Sequence, residues 1–399
     1  MPSRSAGPAR RWLMLALALA ATMCANVFIN GVAFLIPTLH SDRGLDLARA
    51  GLMSALPSFG MVLTLIAWGY LVDRAGERRV LWAGSALTAA AAFGAAATDS
   101  LTGTGVFLLL GGMAAASSNT ASGRLVVGWF PAHQRGLAMG IRQTAQPLGV
   151  ALGALVIPNL ARHGIGVALL FPATICAVAA LACAVGVLDP PRPPRAEAPD
   201  EHLANPYRGS ALLWRIHAMS VLLVVPQVLV WTFMLVWLMS SRGWSAPAAG
   251  ALVTVSQLLG AAGRIAAGRW SDRLGSRLQP IRTIAAAAAL AMLALAICDR
   301  LGSPLAIAVM VLASVITVSD NGLAFTAIAE IAGPFWSGRA LGAQNTSQLF
   351  AAAVAPPLFG GLIGVFGYPV AFAVCALFPL AAMPVVPADP PARRLATDA

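Results

Sequence analysis

Residues 12–36, "WLMLALALAATMCANVFINGVAFLI", run for 25 positions without a charged side chain. A bilayer core about 30 Å thick is crossed by about 20 apolar helical residues. Inside lipid every backbone N–H and C=O must pair within the structure, so a run of this length reads as a spanning helix. Twelve such stretches can be drawn: 12–36, 47–71, 80–98, 103–129, 137–160, 165–188, 211–240, 247–270, 282–298, 304–332, 340–365 and 368–387. Charged residues make up 10% of the chain, where a soluble domain has roughly a quarter. The sequence therefore predicts an all-α membrane protein with twelve transmembrane helices, numbered here as spans 1 to 12. "ARRWLMLALALAA" has the basic start of a secretory signal. Its apolar run continues to Ile36, long enough to span, so a first helix is expected and a cleaved signal is the alternative.

Orientation follows from the arginines, since the chain has no lysine. Numbering spans from a cytoplasmic N-terminus puts most of them at the inner face, including Arg4, Arg74, Arg78, Arg79, Arg277, Arg393 and Arg394. Only Arg43, Arg49, Arg162, Arg242 and Arg300 fall outside. That asymmetry obeys the positive-inside rule and predicts a multi-pass cell-membrane protein with both termini cytoplasmic. The net charge of +11 thus reports topology and contact with anionic lipid, and nucleic acid is not an expected partner. The five cysteines lie in predicted spans without a C-x-x-C pair, and the histidines lack metal-ligand spacing. Neither metal nor cofactor is expected.

Residues 189–210, "DPPRPPRAEAPDEHLANPYRGS", separate six spans from six, and their Pro and charge mark a hydrated linker. The two sides repeat one another. "GYLVDRAGERRV", 69–80, is echoed by "GRWSDRLGSR", 268–277, 199 positions later. "GIRQTAQ" (140–146) is echoed by "GAQNTSQ" (342–348), and "SSN" (117–119) by "SDN" (319–321), both at an offset of 202. The predicted organisation is an N-terminal six-helix bundle (12–188), a cytoplasmic linker (189–210) and a C-terminal six-helix bundle (211–387), related by duplication.

Two six-span halves, a charged central loop and G-x-x-x-D-R-x-G-x-[RK] after span 2 resemble the major facilitator superfamily over nearly the whole chain. The resemblance implies two pseudo-symmetric bundles that rock about a central substrate site, with no enzymatic activity and a monomer as the working unit. It also implies a role for the repeated loops. Gly69, Gly76, Gly268 and Gly275 would allow sharp turns and close helix approach. Asp73, with Arg74 beside it, would sit near the start of span 11, and Asp272, with Arg273, near the start of span 5. A carboxylate at a helix N-terminus is stabilised by roughly 0.3–1 kcal/mol when exposed. These eight residues would form a conformational latch; the alternative is that the loops only set topology.

Spans 3, 6, 9 and 12 carry almost no polar side chains and are expected outermost, as in that family. Ionisable groups inside the other spans are costly and mark candidate sites. Arg124, Arg142, Arg264 and Asp320 stand out. Arg124 either snorkels to the surface or ties to Asp73, with substrate contact as the alternative, and Arg142 could snorkel or tie in the same way. Arg142 shares a helical face with Gln146, Gln257 with Arg264, and Thr317 with Asp320 and Asn321. Arg264 also matches an anion-contacting Arg of monocarboxylate-type and nitrate-type relatives. The predicted substrate-binding residues are Arg264, Arg142, Gln146, Gln257, Asn26, Asn30, Gln344, Asn345 and Gln348, with Asp320 as proton-coupling group. Interhelical hydrogen bonding is the alternative for the amides, and a structural partner of an Arg for Asp320.

The expected function is proton-coupled uptake of a small organic anion. Leu65 stands where nitrate porters carry a second Arg, which argues against nitrate. A proton-coupled drug or metabolite exporter is the alternative, weakened by the absence of an Arg near Phe107 and by the poor antiporter pattern "QPLGVALG", 146–153. A membrane enzyme would need a catalytic group on a sizeable external loop, and the loops here are short. A channel fits the duplication less well than alternating access.

Overall fold

The long apolar runs become helices, and the interruptions fall where side chains or glycine disturb the backbone ladder. The computed structural model describes residues 7–192 and 194–389. Arg4, Arg393 and Arg394 of the charge count lie outside the described residues, as do the side chains of Arg43 and Arg195. Among the described residues, eleven helical stretches are long and apolar enough to cross a membrane, from Ala9–His40 to Ser337–Val385. The last is 49 residues long and holds two spans. Gly367, at φ 79 and ψ 172, breaks it inside the 364–368 interval that separates spans 11 and 12 in the sequence. No strand occurs among the described residues.

Three spans are not the single helices expected. Span 1 passes from Pro8–Gly31 through a 3-10 turn, Val32–Leu35, into Ile36–Arg43. Span 5 divides into Ala132–Arg142 and Ala145–Ala161, and span 10 into Leu305–Ile316 and Asn321–Ala332. Hydroxyls sit at both of the latter breaks. Thr144 Oγ1 donates to the Ile141 carbonyl at 2.7 Å, while Thr317 Oγ1 and Ser319 Oγ donate to those of Ala313 and Val315 at 2.8 and 2.7 Å. Such back-bonding competes with the helix ladder and bends it. Between the halves lie a 3-10 turn, Arg195–Glu197, and a short helix, Asp200–Leu203.

Two compact units emerge. The first comprises residues 7–131, 141–204 and 332–346; the second comprises 132–140, 205–331 and 347–389. Each unit thus includes a helix-start segment from the other half of the sequence: 332–346 in the first, 132–140 in the second. The first has a core of small and aliphatic side chains that includes Met14, Leu81, Leu125 and Cys176. In the second, Trp237 is fully buried and meets Phe372 edge-on at 6.3 Å. Lipid is as apolar as these side chains, so close van der Waals packing holds each unit together.

Candidate functional site

In the first unit Asp73 ends span 2 and is 4% exposed. Its carboxylate accepts the backbone N–H of Gly338 at 2.8 Å and of Arg339 at 3.1 Å, in the first turn of the helix that starts at Ser337. Those N–H groups have no partner within their own helix. Arg339 Nε donates to the same carboxylate at 2.9 Å. Its guanidinium lies 3.5 Å over the Trp336 ring, whose Nε1 donates to the Leu203 carbonyl of the linker at 3.0 Å. Arg124 reaches the cluster from span 4. It lies 3.6 Å from Asp73 and 3.2 Å from the buried Glu77, and donates to the carbonyls of Pro334 at 2.6 Å and of Val72. Among the readings open from the sequence, the structure shows the tie to Asp73.

The second unit repeats this geometry. Asp272 accepts the N–H groups of Gly136 at 2.9 Å and Leu137 at 2.8 Å. These are the positions 202 residues before Gly338 and Arg339. Arg277 binds Asp272 at 2.7 Å and Glu330 at 3.2 Å, and donates to the Ala132 carbonyl. Burial alone would lower the Arg277 pKa, but Glu330 and Asp272 outweigh it and hold it above its usual value. Gly76 and Gly275 have φ of 93° and 62°, which a side chain rarely adopts. Gly69 and Gly268 serve close approach instead. A Cβ on Gly69 would lie 2.3 Å from the Gly338 carbonyl oxygen, and one on Gly268 2.1 Å from that of Gly136. Arg74 and Arg273, expected beside the aspartates, are exposed; Arg74 lies 4.5 Å over the Tyr70 ring. The arginines that engage the aspartates are Arg339, Arg124 and Arg277. Arg277 closes the repeated loop motif, whereas Arg339 and Arg124 lie outside it and reach the carboxylate only through the fold.

Deeper in the second unit, the break in span 10 places Asp320 beside the start of the Asn321–Ala332 helix, 2% exposed and in electrostatic interaction with Arg264. Arg264, 3% exposed, stands 5.6 Å over the Trp231 ring. Asn321 Nδ2 donates to Gln227 Oε1 at 2.8 Å, and Gln348 Nε2 donates to Ser220 Oγ at 2.7 Å and Asn321 Oδ1 at 3.3 Å. Gln257 lines a small cleft with Ser256, Ser314, Trp231 and apolar Val230, Met234 and Val253. Spans 7, 8, 10 and 11 thus contribute to one polar centre. Gln227, Trp231 and Asn321 belong to it, and their helical spacing on spans 7 and 10 was the signal available in the sequence.

The first unit holds the remaining candidates. Arg142 is buried, with Nε donating to Ser122 Oγ at 2.9 Å, Nη1 to Gln143 Oε1 at 2.6 Å and Nη2 to the Asn119 carbonyl at 2.8 Å. Gln146 does not share its surroundings: the break at 143–144 leaves it exposed while Arg142 turns inward. The expected i,i+4 pairing fails because the helix does not continue through it. Asn26 Nδ2 donates to the Thr22 carbonyl and Asn30 Nδ2 to that of Asn26, at 2.8 and 3.0 Å along span 1. Asn345 Nδ2 donates to the Leu341 carbonyl at 2.8 Å, and Gln344 is fully buried.

The family model described as "Major Facilitator Superfamily" matches residues 15–356 and 229–399. The chain belongs to the major facilitator superfamily. It is 58% identical over 381 residues to an uncharacterised MFS-type transporter of Mycobacterium tuberculosis (strain ATCC 25618 / H37Rv), covering 96% of this chain and 86% of that one. Its fold is similar to that of the human organic anion transporter MFSD10, with TM-score 0.76, 16% identity, and 96% and 100% of the two chains covered. The superfamily transporter FucP is similar at TM-score 0.73 and 17% identity, over 94% of this chain and 98% of that one. This superfamily member is a multi-pass membrane transporter of all-α fold.

Proposed function

We propose that this transporter takes up a small organic anion together with a proton, by alternating access. The observation that supports this best is the buried centre in which Arg264 stands over Trp231 and opposes Asp320. A guanidinium offers a planar fork that matches a carboxylate. The substrate's carboxylate displaces Asp320 as counter-ion of Arg264, and the proton then balances the charge left on Asp320. Gln348 and Gln257 supply orienting hydrogen bonds from the same unit, while Arg142, Gln146, Asn26, Asn30, Gln344 and Asn345 are the candidates of the first. The Asp73 and Asp272 contacts act as paired latches that hold the cytoplasmic ends of spans 2 and 11, and of spans 8 and 5, together in one state. The protein works as a monomer in the cell membrane with both termini cytoplasmic.

The apolar side of the Gln257 cleft favours a second reading, export of a more lipophilic drug or metabolite against protons. Reconstitution into liposomes separates the two. Small carboxylates and lipophilic cations are tested for counterflow, then Asp320→Asn is tested for accumulation on a pH gradient. The anion reading expects carboxylate counterflow that persists in Asp320→Asn, with pH-driven accumulation lost. A mutant that still concentrates substrate makes Asp320 structural, and a preference for cations replaces uptake by export.

A further inference from the structure

Beside the latch lies a surface feature that the latch does not explain. The first two turns of the Glu77–Ala97 helix put Arg78, Arg79 and Trp82 around a cleft of about 500 Å3, completed by Ala75, Ala184 and Asp189. Arg78 is fixed across the end of span 6, its Nε and Nη2 donating to the Ala184 carbonyl at 3.0 and 2.5 Å. Arg79 is exposed and makes no hydrogen bond or ion pair among the described residues. The acid in the lining, Asp189, already accepts the Arg78 backbone N–H at 2.7 Å. Glu77, on the same helix, turns inward to Arg124 at 3.2 Å and Arg192 at 4.0 Å. The cleft therefore sets two guanidinium groups, with Arg79 uncommitted, against a single carboxylate.

The duplication supplies an internal comparison. At an offset of 199, Arg79 corresponds to Leu278 and Trp82 to Ile281, which are 1% and 0% exposed. Arg78 corresponds to Arg277, which is committed to Asp272 and Glu330. The second half builds the aspartate contact without a cationic and aromatic surface, so Arg79 and the exposed face of Trp82 need another reason. Continuing from Ala184 along span 6, Val178, Leu181 and Val185 are 62%, 66% and 75% exposed, an apolar track leading away from the charged end.

We propose that this cleft binds the phosphodiester headgroup of an anionic phospholipid, with Arg78 and Arg79 on the phosphate, Trp82 at the interfacial level and an acyl chain along span 6. An arginine fork suits phosphate oxygens, and tryptophan sits by preference where headgroups meet hydrocarbon. The two guanidinium groups against one already engaged carboxylate select an anionic over a zwitterionic headgroup.

The test is native mass spectrometry of the delipidated, detergent-solubilised protein titrated with phosphatidylglycerol, phosphatidylethanolamine or glycerol 1-phosphate. Phosphatidylglycerol should bind best. Arg79→Gln should weaken it about fivefold, the equivalent of the roughly 1 kcal/mol that one basic residue contributes at an anionic membrane surface. Trp82→Ala should also weaken lipid binding, and Arg162→Gln, an exposed arginine in the turn between spans 5 and 6, should leave it unchanged. Equal binding of the two lipids overturns the proposal, as does equal loss in Arg79→Gln and Arg162→Gln. Glycerol 1-phosphate competing as well as the lipid would mean that a free phosphate is held and no acyl chain contributes.

Discussion

Asp73→Asn is the most informative single change. The carboxylate accepts three charge-assisted hydrogen bonds, from Gly338 at 2.8 Å, the Arg339 amide at 3.1 Å and Arg339 Nε at 2.9 Å, with Arg124 close by at 3.6 Å. Asparagine keeps the shape and one acceptor oxygen, but turns two N–H donors toward groups that are themselves donors. Hydrogen bonds to charged groups contribute about 1.5–3 kcal/mol each, and breaking a buried ion pair costs about 3–5 kcal/mol. We take the lower end, about 3 kcal/mol, because Arg124 keeps Glu77 as a partner. If the contact exists in one conformation only, the equilibrium between states shifts by roughly 150-fold. Spin labels at Leu71, near the end of span 2, and Thr346, in the third turn of the helix that starts at Ser337, report the separation of these helices without knowledge of the substrate. The wild type should show one short distance and Asp73→Asn a second, longer population, with folding and insertion unchanged. Turnover should fall more than apparent affinity. Wild-type distances in both Asp73→Asn and the Asp73→Asn, Asp272→Asn pair would mean that the loops serve only topology.

Three further changes test separate parts of the argument. Gly69→Ala or Gly268→Ala drives a Cβ into a backbone carbonyl and should destabilise its helix contact by about 1–3 kcal/mol. Gly361→Ala, where a Cβ meets nothing within 4 Å inside a helix, should leave the melting temperature unchanged or raise it slightly. Glu330→Gln removes a partly exposed partner of Arg277 and Arg135 but leaves Arg277 on Asp272. Its effect on stability should be about 1 kcal/mol or less, and a loss as large as that of Asp73→Asn would place the second latch on Glu330 instead of Asp272. Arg264→Lys retains the charge but not the fork over Trp231, so carboxylate uptake should drop by about tenfold or more at an unchanged melting temperature. Uptake that survives the change would remove Arg264 from the binding site.

What could be read in the sequence was what composition and repetition encode. Runs such as 12–36 fix spanning helices because lipid permits little else. Gly367 marks the boundary between spans 11 and 12, since glycine adopts the positive φ found there. The breaks at 143–144 and 317–320 could not be read the same way. The Thr and Ser hydroxyls that accompany them are compatible with unbroken helix elsewhere, as Thr88 shows by bonding the Gly84 carbonyl within Glu77–Ala97. That is why Arg142 and Gln146, paired by spacing, have different surroundings. Gln227, Asn321 and Gln348 meet across three spans, a contact set by tertiary packing.

The two aspartate clusters show what a duplication preserves. In each, a carboxylate accepts two backbone N–H groups at equivalent positions, Gly338 and Arg339 or Gly136 and Leu137. In each, an arginine beside the carboxylate donates to an equivalent carbonyl, Pro334 or Ala132, 202 residues apart. The arginines themselves are not equivalent. Arg124 comes from span 4 and pairs with Glu77 of the loop, whereas Arg277 comes from the loop and pairs with Glu330 of span 10. The ion pair has the same place and the opposite polarity. A guanidinium is long and carries five donors, so it can reach carboxylate and carbonyl from either side. The carboxylate has no such latitude, because it must lie against N–H groups whose direction the helix fixes. This is why Asp73 and Asp272 keep one role in both halves while the arginines that serve them do not: Arg78, the counterpart of Arg277, turns to the Ala184 carbonyl, and Arg124 and Arg339 take its place at Asp73.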